Sequence, residues 1–272
     1  MNRSIQQPAA RRSARSVKTV VRGFTLVDVL VSLAVMSVLI AILLPSISRV
    51  RESAQRVICG SNLRQIGMGL HMYSESSADH MPSSVFLPHG PSSSASRSAG
   101  EEGSPGRMDT VRTNPGEFDP RAWGEWDGLG LLFATGYLNA SKVFYCPSHG
   151  GSHTFERYTN TWAQEEGEII SNFQFRGEGP DGMRKLYQID SSAAIVSDML
   201  RSFEDLNHKR GFNVLKAGLS VSWVEDENEQ IADLLLRQAG GDQSQNTLDD
   251  AWTQLDGGDA DGPDTDGIAD TE

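Results

Sequence analysis

Cysteine is scarce: 272 residues hold only two, Cys59 and Cys146. That excludes a disulfide-dense miniprotein and a zinc cage built from cysteine alone. Basic residues are short as well, with 24 Lys and Arg against 36 Asp and Glu and a net charge of −12. An acidic balance argues against a general nucleic-acid binder, so no nucleic-acid partner is expected. There is no Gly-x-Ser-x-Gly elbow, no phosphate-binding glycine loop and no His-Glu zinc-protease motif. The expectation is therefore a non-enzyme, with no catalytic residue. The apolar share of 38% becomes about 46% once glycine is counted and tyrosine is not, within the ordinary globular range of about 45–50%. Global disorder is thereby excluded.

Charge of one sign is missing from each end. Residues 1–23 carry Arg3, Arg11, Arg12, Arg15, Lys18 and Arg22 and no acid. Residues 225–272 carry 15 acids and one base, Arg237. What lies between them, 24–224, is nearly balanced at −4. Most of the acidity belongs to the tail.

Between Phe24 and Ile47, 18 of 24 residues are apolar, and Asp28 is the one charge. As a helix, Phe24 to Leu44 is about 31 Å long, the thickness of a hydrocarbon core of about 30 Å. A core helix of that length would show a polar stripe, and none is present. Residues 24–47 are read as a membrane span. The basic leader before it predicts a cytoplasmic N-terminus and an exported remainder, on the periplasmic or extracellular side of the cytoplasmic membrane.

No Ala-x-Ala site follows the span, as a secretory signal peptide would require. The informative boundary precedes it: Arg22-Gly23-Phe24-Thr25-Leu26-Val27-Asp28. A basic leader ending in Gly, then Phe-Thr-Leu, a variable residue, an acid and a hydrophobic helix resembles the signal of type IV prepilins and type II secretion pseudopilins. The resemblance implies cleavage between Gly23 and Phe24 by a prepilin peptidase and methylation of the Phe24 amine by an N-methyltransferase. It also implies assembly with other pilin-like subunits, in which an acid at this position meets a neighbour's N-terminal ammonium. The family usually places Glu where this chain has Asp28. A carboxylate in an apolar span costs about 2.5–3.5 kcal/mol at the helix centre and less near an end. Asp28 is therefore read either as paired with a neighbour or as solvated at the headgroup level.

Past Pro45, which is expected to kink the helix, Ile47, Val50, Ala54 and Val57 keep helical spacing, and so do Leu63, Ile66, Leu70 and Tyr73. The face shifts near Gly60, where a bend or fray is expected. Gly67 and Gly69 either weaken the helix or permit close packing. One helix from about 24 to about 76 results, with an amphipathic second half over 48–77. Residues 78–122 read as a flexible loop, with disorder favoured over about 90–116. An exported domain over 123–224 follows. Its strand candidates are Ile169–Arg176, Ala193–Ser197, Phe212–Lys216 and Leu219–Val224, the last two flanking a turn at Ala217-Gly218. The fold class is α+β: a long helix packed on a small antiparallel sheet of about four strands, as in pilins. The acidic tail, 225–272, reads as partly helical over Val224–Ala239 and Thr247–Leu255, then disordered.

A closer resemblance rests on several segments in order. These are Cys59-Gly60-Ser61-Asn62-Leu63-Arg64-Gln65-Ile66-Gly67, Phe144-Tyr145-Cys146-Pro147-Ser148, Ala194-Ile195-Val196-Ser197-Asp198, Asn207-His208 and Asn213-Val214-Leu215 up to Trp223. Together they resemble planctomycete pilin-like proteins, a family described by a histidine, nine residues and Asp-Gly in the final hairpin. Counted from His208, that pair falls on Gly218-Leu219. The turn is expected to survive, with Gly218 supplying the positive φ.

Other sites read blandly. His149 and His153 are four apart, but Gly150 and Gly151 between them disfavour a helical ligand pair, and His208, Asp198 and Cys146 add no such pair, so no metal is expected. Asp198 ends an apolar strand and reads as a loop cap rather than a carboxylate in a cleft. Cys59 and Cys146 either pair as a disulfide in an oxidising compartment or remain as two buried thiols. The tail's Asp259-Ala260-Asp261-Gly262 and Asp264–Asp270 resemble calcium loops, but a solvated acidic tail is the preferred reading, and no cofactor is expected. The chain is read as a structural pilin-like or pseudopilin subunit. The alternative is an anchored exoplasmic binding or enzymatic domain that uses the signal only for export.

Overall fold

The computed structural model describes residues 25–87, 105–114, 125–164, 167–235 and 244–257. The leader with Gly23 and Phe24, the segments 88–104 and 115–124, and the Asp-rich stretch after 257 lie outside the described residues. The chain divides into two units, Met1–Arg49 and Val50–Glu272.

The first unit contributes the start of helix α1, Leu26–Ser76. Its large apolar side chains from Leu26 to Leu44 are between 46% and 81% exposed. The helix is long and apolar enough to cross a membrane.

In the second unit α1 continues without a break at Gly60, where a bend was expected. Close packing is served at Gly67 instead, where a Cβ would meet Leu215 Cδ1 at 2.9 Å. Cys59, Leu63, Ile66 and Leu70 are fully buried, as the helical spacing implies. Val50 and Val57 are each 67% exposed, so the stripe read before Gly60 is not the docking face.

Four antiparallel strands form the main sheet in the order β3 (Phe173–Phe175), β4 (Ala194–Asp198), β5 (Gly211–Lys216) and β6 (Val221–Glu225). The strand expected over Ile169–Arg176 is split. β2 is Ile169–Ile170, and Ser171 and Asn172 turn away to donate their N–H groups to Asp109 O and Phe144 O. Alternation along β5 assigns the two faces of the sheet. Leu215 packs in the same apolar cluster as Leu63, Ile66 and Leu70 of α1. Phe212 and Val214 pack in a second cluster with Ile231, Leu235, Leu248, Trp252 and Leu255.

That second cluster corrects the reading of the tail. Helices α4 (Gln230–Leu234) and α5 (Gln245–Asp256) cover the sheet face away from α1, so the folded domain extends past 224 to at least 257. Both are anchored by polar groups that sequence periodicity does not weigh. Asp226 accepts from Ile231 N and Ala232 N at 2.9 and 3.0 Å. Ser244 caps α5 through Thr247 N, and Asp256 accepts from Arg176 Nη1 at 2.9 Å and Ala194 N at 2.6 Å.

The segment 78–122 also departs from the flexible loop expected. Residues 80–87 and 105–114 are structured, and β1 (Thr110–Arg112) pairs with β2. Arg112 donates to Thr161 O, Gln164 O and Gly167 O, satisfying carbonyls at and after the end of α3 (Phe155–Ala163). Phe86, Leu87, Met108 and Val111 are buried in the main core, and ion pairs and backbone bonds fix the rest of the segment.

The β5–β6 hairpin forms across Ala217-Gly218 with Leu215 opposite Val221. Its positive φ falls on Leu219, at 64°, and not on Gly218. Left-handed backbone costs a side-chain-bearing residue about 1–2 kcal/mol, partly offset by the greater unfolded freedom of glycine. Leu219→Gly should therefore raise unfolding free energy by about 0.5–1 kcal/mol. An unchanged or lower urea midpoint would show that the turn is not strained.

Candidate functional site

Two places bring functional side chains together. The first is the start of α1. Asp28 Oδ2 accepts from Thr25 N at 3.0 Å and from Thr25 Oγ1 at 2.7 Å, while Asp28 N donates to Thr25 Oγ1 at 3.2 Å. This is a reciprocal cap, with Asp in the place of the usual Glu or Gln. Neither reading of Asp28, paired with a neighbour or solvated alone, included this partner in its own chain. The signal was in the sequence as Thr25-x-x-Asp28. Both Thr25 bonds fall on Oδ2, and Oδ1 accepts none among the described residues. Gly23 and Phe24, the processing residues, lie outside the described residues.

The second place is in the globular unit, where α1 meets the sheet. Cys59 Sγ, Cys146 Sγ, a carboxylate oxygen of Asp198 and a ring nitrogen of His208 lie within 4.8 Å of one another, and all four residues are buried. Each comes from a different segment. Cys59 sits on the inner face of α1, and Cys146 follows the 3₁₀ turn Ser141–Phe144. Asp198 ends β4, and His208 lies in the loop before β5.

Asp198 is not a loop cap. Its carboxylate is fully buried and accepts from Cys59 Sγ at 3.0 Å, Asn207 Nδ2 at 2.9 Å and Asn213 N at 2.6 Å. Cys146 Sγ is 3.5 Å from His208 Nε2, and Asp198 Oδ2 is 3.9 Å from the same nitrogen. On the far side of the ring, His208 Nδ1 is 2.7 Å from Glu52 Oε1. A carboxylate only accepts, so Nδ1 carries the proton and Nε2 faces the sulfurs. Trp223 stands edge-on to the same ring at 5.5 Å.

Electrostatics follow from this packing. Burial pushes the Cys59 thiol well above its ordinary value, and Cys146 and Asp198 push it further. Burial acts the same way on Cys146, but hydrogen bonds with Cys59 and His208 outweigh it and bring that thiol down to about 7. Burial opposes a charged His208, yet Cys146, Asp198 and Glu52 raise it to about 9. The pair thus leans towards thiolate and imidazolium. Cys59 and Cys146 are both free thiols.

The other histidines point elsewhere. His149 Nδ1 is 3.0 Å from Asn207 Oδ1, and His153 Nδ1 is 2.7 Å from Tyr158 Oη. His149 is lowered by burial, and His153 falls to about 4 through burial and the nearby Arg201. Spacing gave no reason to join Cys59 to His208, or Glu52 to either.

Comparison with known proteins is narrow. No curated protein matches the chain. No solved structure matches it either. The sequence profile of one family, described as "Protein of unknown function (DUF1559)", matches residues 48–184, just over half of the chain. That stretch holds the docking half of α1, with Cys59, and runs through Cys146 to the turn after β3. The chain belongs to this DUF1559 family of planctomycete pilin-like proteins.

Proposed function

We propose that this protein is a structural subunit of a type II secretion or type IV pilus-like assembly, anchored in the cytoplasmic membrane with its globular unit exported. One observation carries the reading. From Leu26 to Leu44 the apolar side chains of α1 are exposed, with Asp28 as the one charge, and no described residue covers them. Water does not tolerate such a surface, so lipid or the helices of other subunits cover it. Membership of a pilin-like family and the α+β fold agree with this reading. Maturation proceeds by peptidase cleavage between Gly23 and Phe24 and methylation of the new amine. The protein is not an enzyme in this reading, and its partners are the peptidase, the methyltransferase and other pilin-like subunits.

Processing is tested by mass analysis of membrane-extracted protein. The mature chain should begin at Phe24 and be one methyl group heavier. Gly23→Glu should leave the leader attached in essentially every molecule, because the cut needs a small residue before it. An intact Met1 terminus in the unmodified protein would reject the processing step. Shearing cells and finding the mature protein only in membranes, never with filaments, would favour the anchored-domain alternative.

A further inference from the structure

We propose that Cys59, Cys146, Asp198 and His208 form a closed, four-ligand site for a zinc-like divalent transition metal that staples α1 to the sheet. Zinc takes four ligands tetrahedrally, at about 2.0–2.1 Å for nitrogen and oxygen and about 2.3 Å for sulfur. Those bonds put ligand atoms about 3.3–3.8 Å apart along the tetrahedron edges. The separations here are 3.5 Å from Cys146 Sγ to His208 Nε2, 3.0 Å from Cys59 Sγ to Asp198 Oδ1 and 3.9 Å from His208 Nε2 to the other carboxylate oxygen, Oδ2. Every pair lies within 4.8 Å, so small side-chain shifts close the shell.

The donor set is borderline-soft, with two sulfurs, one imidazole and one carboxylate, which selects zinc over calcium or magnesium. The surroundings match as well. A metal-binding histidine usually donates its other ring N–H to a carboxylate, and Glu52 occupies that place at 2.7 Å from Nδ1. The ligating carboxylate is oriented in turn by Asn207 Nδ2 and Asn213 N. Without a cation, Cys59 Sγ donates to Asp198 across the position that a metal would take. A central divalent cation displaces two protons to solvent, one from Cys59 and the one held between Cys146 and His208, as both sulfurs bind as thiolates and Nε2 binds as a neutral imidazole nitrogen. All four positions are filled by protein, so the role is structural rather than catalytic.

The test uses full-length protein purified in detergent without chelator. The expected result is one equivalent of zinc per chain, with both cysteines unreactive until a chelator strips the metal. Cobalt replacing zinc should show thiolate charge-transfer and tetrahedral d–d bands. Glu52 is half-exposed, so Glu52→Gln should fold, and it should bind zinc about 10–100-fold more weakly against a chromophoric chelator. Unchanged zinc affinity in that variant would overturn the positioning role of Glu52. A metal-free chain two hydrogens lighter, with no thiol before reduction, would overturn the site in favour of a Cys59–Cys146 disulfide. A metal-free chain with two reactive thiols that takes up no added zinc would overturn it as well.

Discussion

Arg201→Met should destabilise the globular unit by about 3–5 kcal/mol at neutral pH. Arg201 holds Asp109 through a two-point contact, Nε to Oδ2 at 2.8 Å and Nη2 to Oδ1 at 3.0 Å. The carboxylate is fully buried and the arginine side chain is 8% exposed. Removing the cation leaves a buried anion, and the cost comes from that unpaired group more than from the lost attraction. The contact also holds the turn before β1, whose Asp109 O accepts from Ser171 N at 2.9 Å. Loss of Arg201 should therefore free the 105–114 segment first, visible as loss of amide protection there. Asp109→Asn combined with Arg201→Met should recover part of the loss, because the buried charge is then gone. A loss under 1 kcal/mol for the single variant would show that the pair is effectively solvated.

The penalty should depend on pH in a defined direction. Burial raises Asp109 to about 6 even with Arg201 lowering it from alongside. A carboxyl raised in the folded state stabilises fully below its unfolded value, near 4, and loses that contribution as pH rises through its folded value. Without Arg201 the folded value climbs further. The difference between wild type and Arg201→Met should then be smaller at pH 5 than at pH 8. A difference that shrinks with rising pH would contradict the assignment.

What the sequence shows follows from how far its signals reach. The long apolar run and the β5–β6 hairpin are written in adjacent residues, through continuous apolarity in one and alternation about a turn in the other. The helical spacing of Leu63, Ile66 and Leu70 likewise needs only its own periodicity. The buried cluster cannot be read that way. Cys146 and His208 are 62 residues apart, and Cys59 and Asp198 are 139 apart. Only the docking of α1 on the sheet brings them together. The order of the 105–114 segment and the docking of the tail helices on the sheet were missed for a different reason. Asp109, Arg112, Asp226 and Asp256 look like surface charges, and each is fixed by a specific partner. Charge counts register solvation and carry no record of pairing.

Asp28→Ala should leave membrane insertion intact and lower incorporation into filaments tenfold or more. Insertion is spared because the substitution removes a polar cost from the apolar span. In the proposed assembly, incorporation falls because the carboxylate then has a second duty beyond the cap. Oδ2 caps α1 through Thr25, and Oδ1 accepts no bond among the described residues. In the proposed assembly, the processed Phe24 amine of a neighbour is the cation proposed to pair with Oδ1. Tenfold corresponds to about 1.4 kcal/mol, modest for a charge pair in a water-poor site even after desolvation. Thr25→Val separates the two duties. It removes the hydroxyl bonds and frays the first turn, at about 0.5–2 kcal/mol, while leaving the carboxylate in place. If capping were the sole role, Thr25→Val and Asp28→Ala would reduce filament incorporation alike. If Asp28 also pairs with a neighbour, Asp28→Ala should be the more severe by roughly tenfold. Asp28→Glu should assemble at least as well as the parent, since a longer acid still reaches Thr25 and extends further towards the neighbour. Wild-type incorporation of Asp28→Ala would remove the pairing and move the balance towards an anchored domain that does not polymerise.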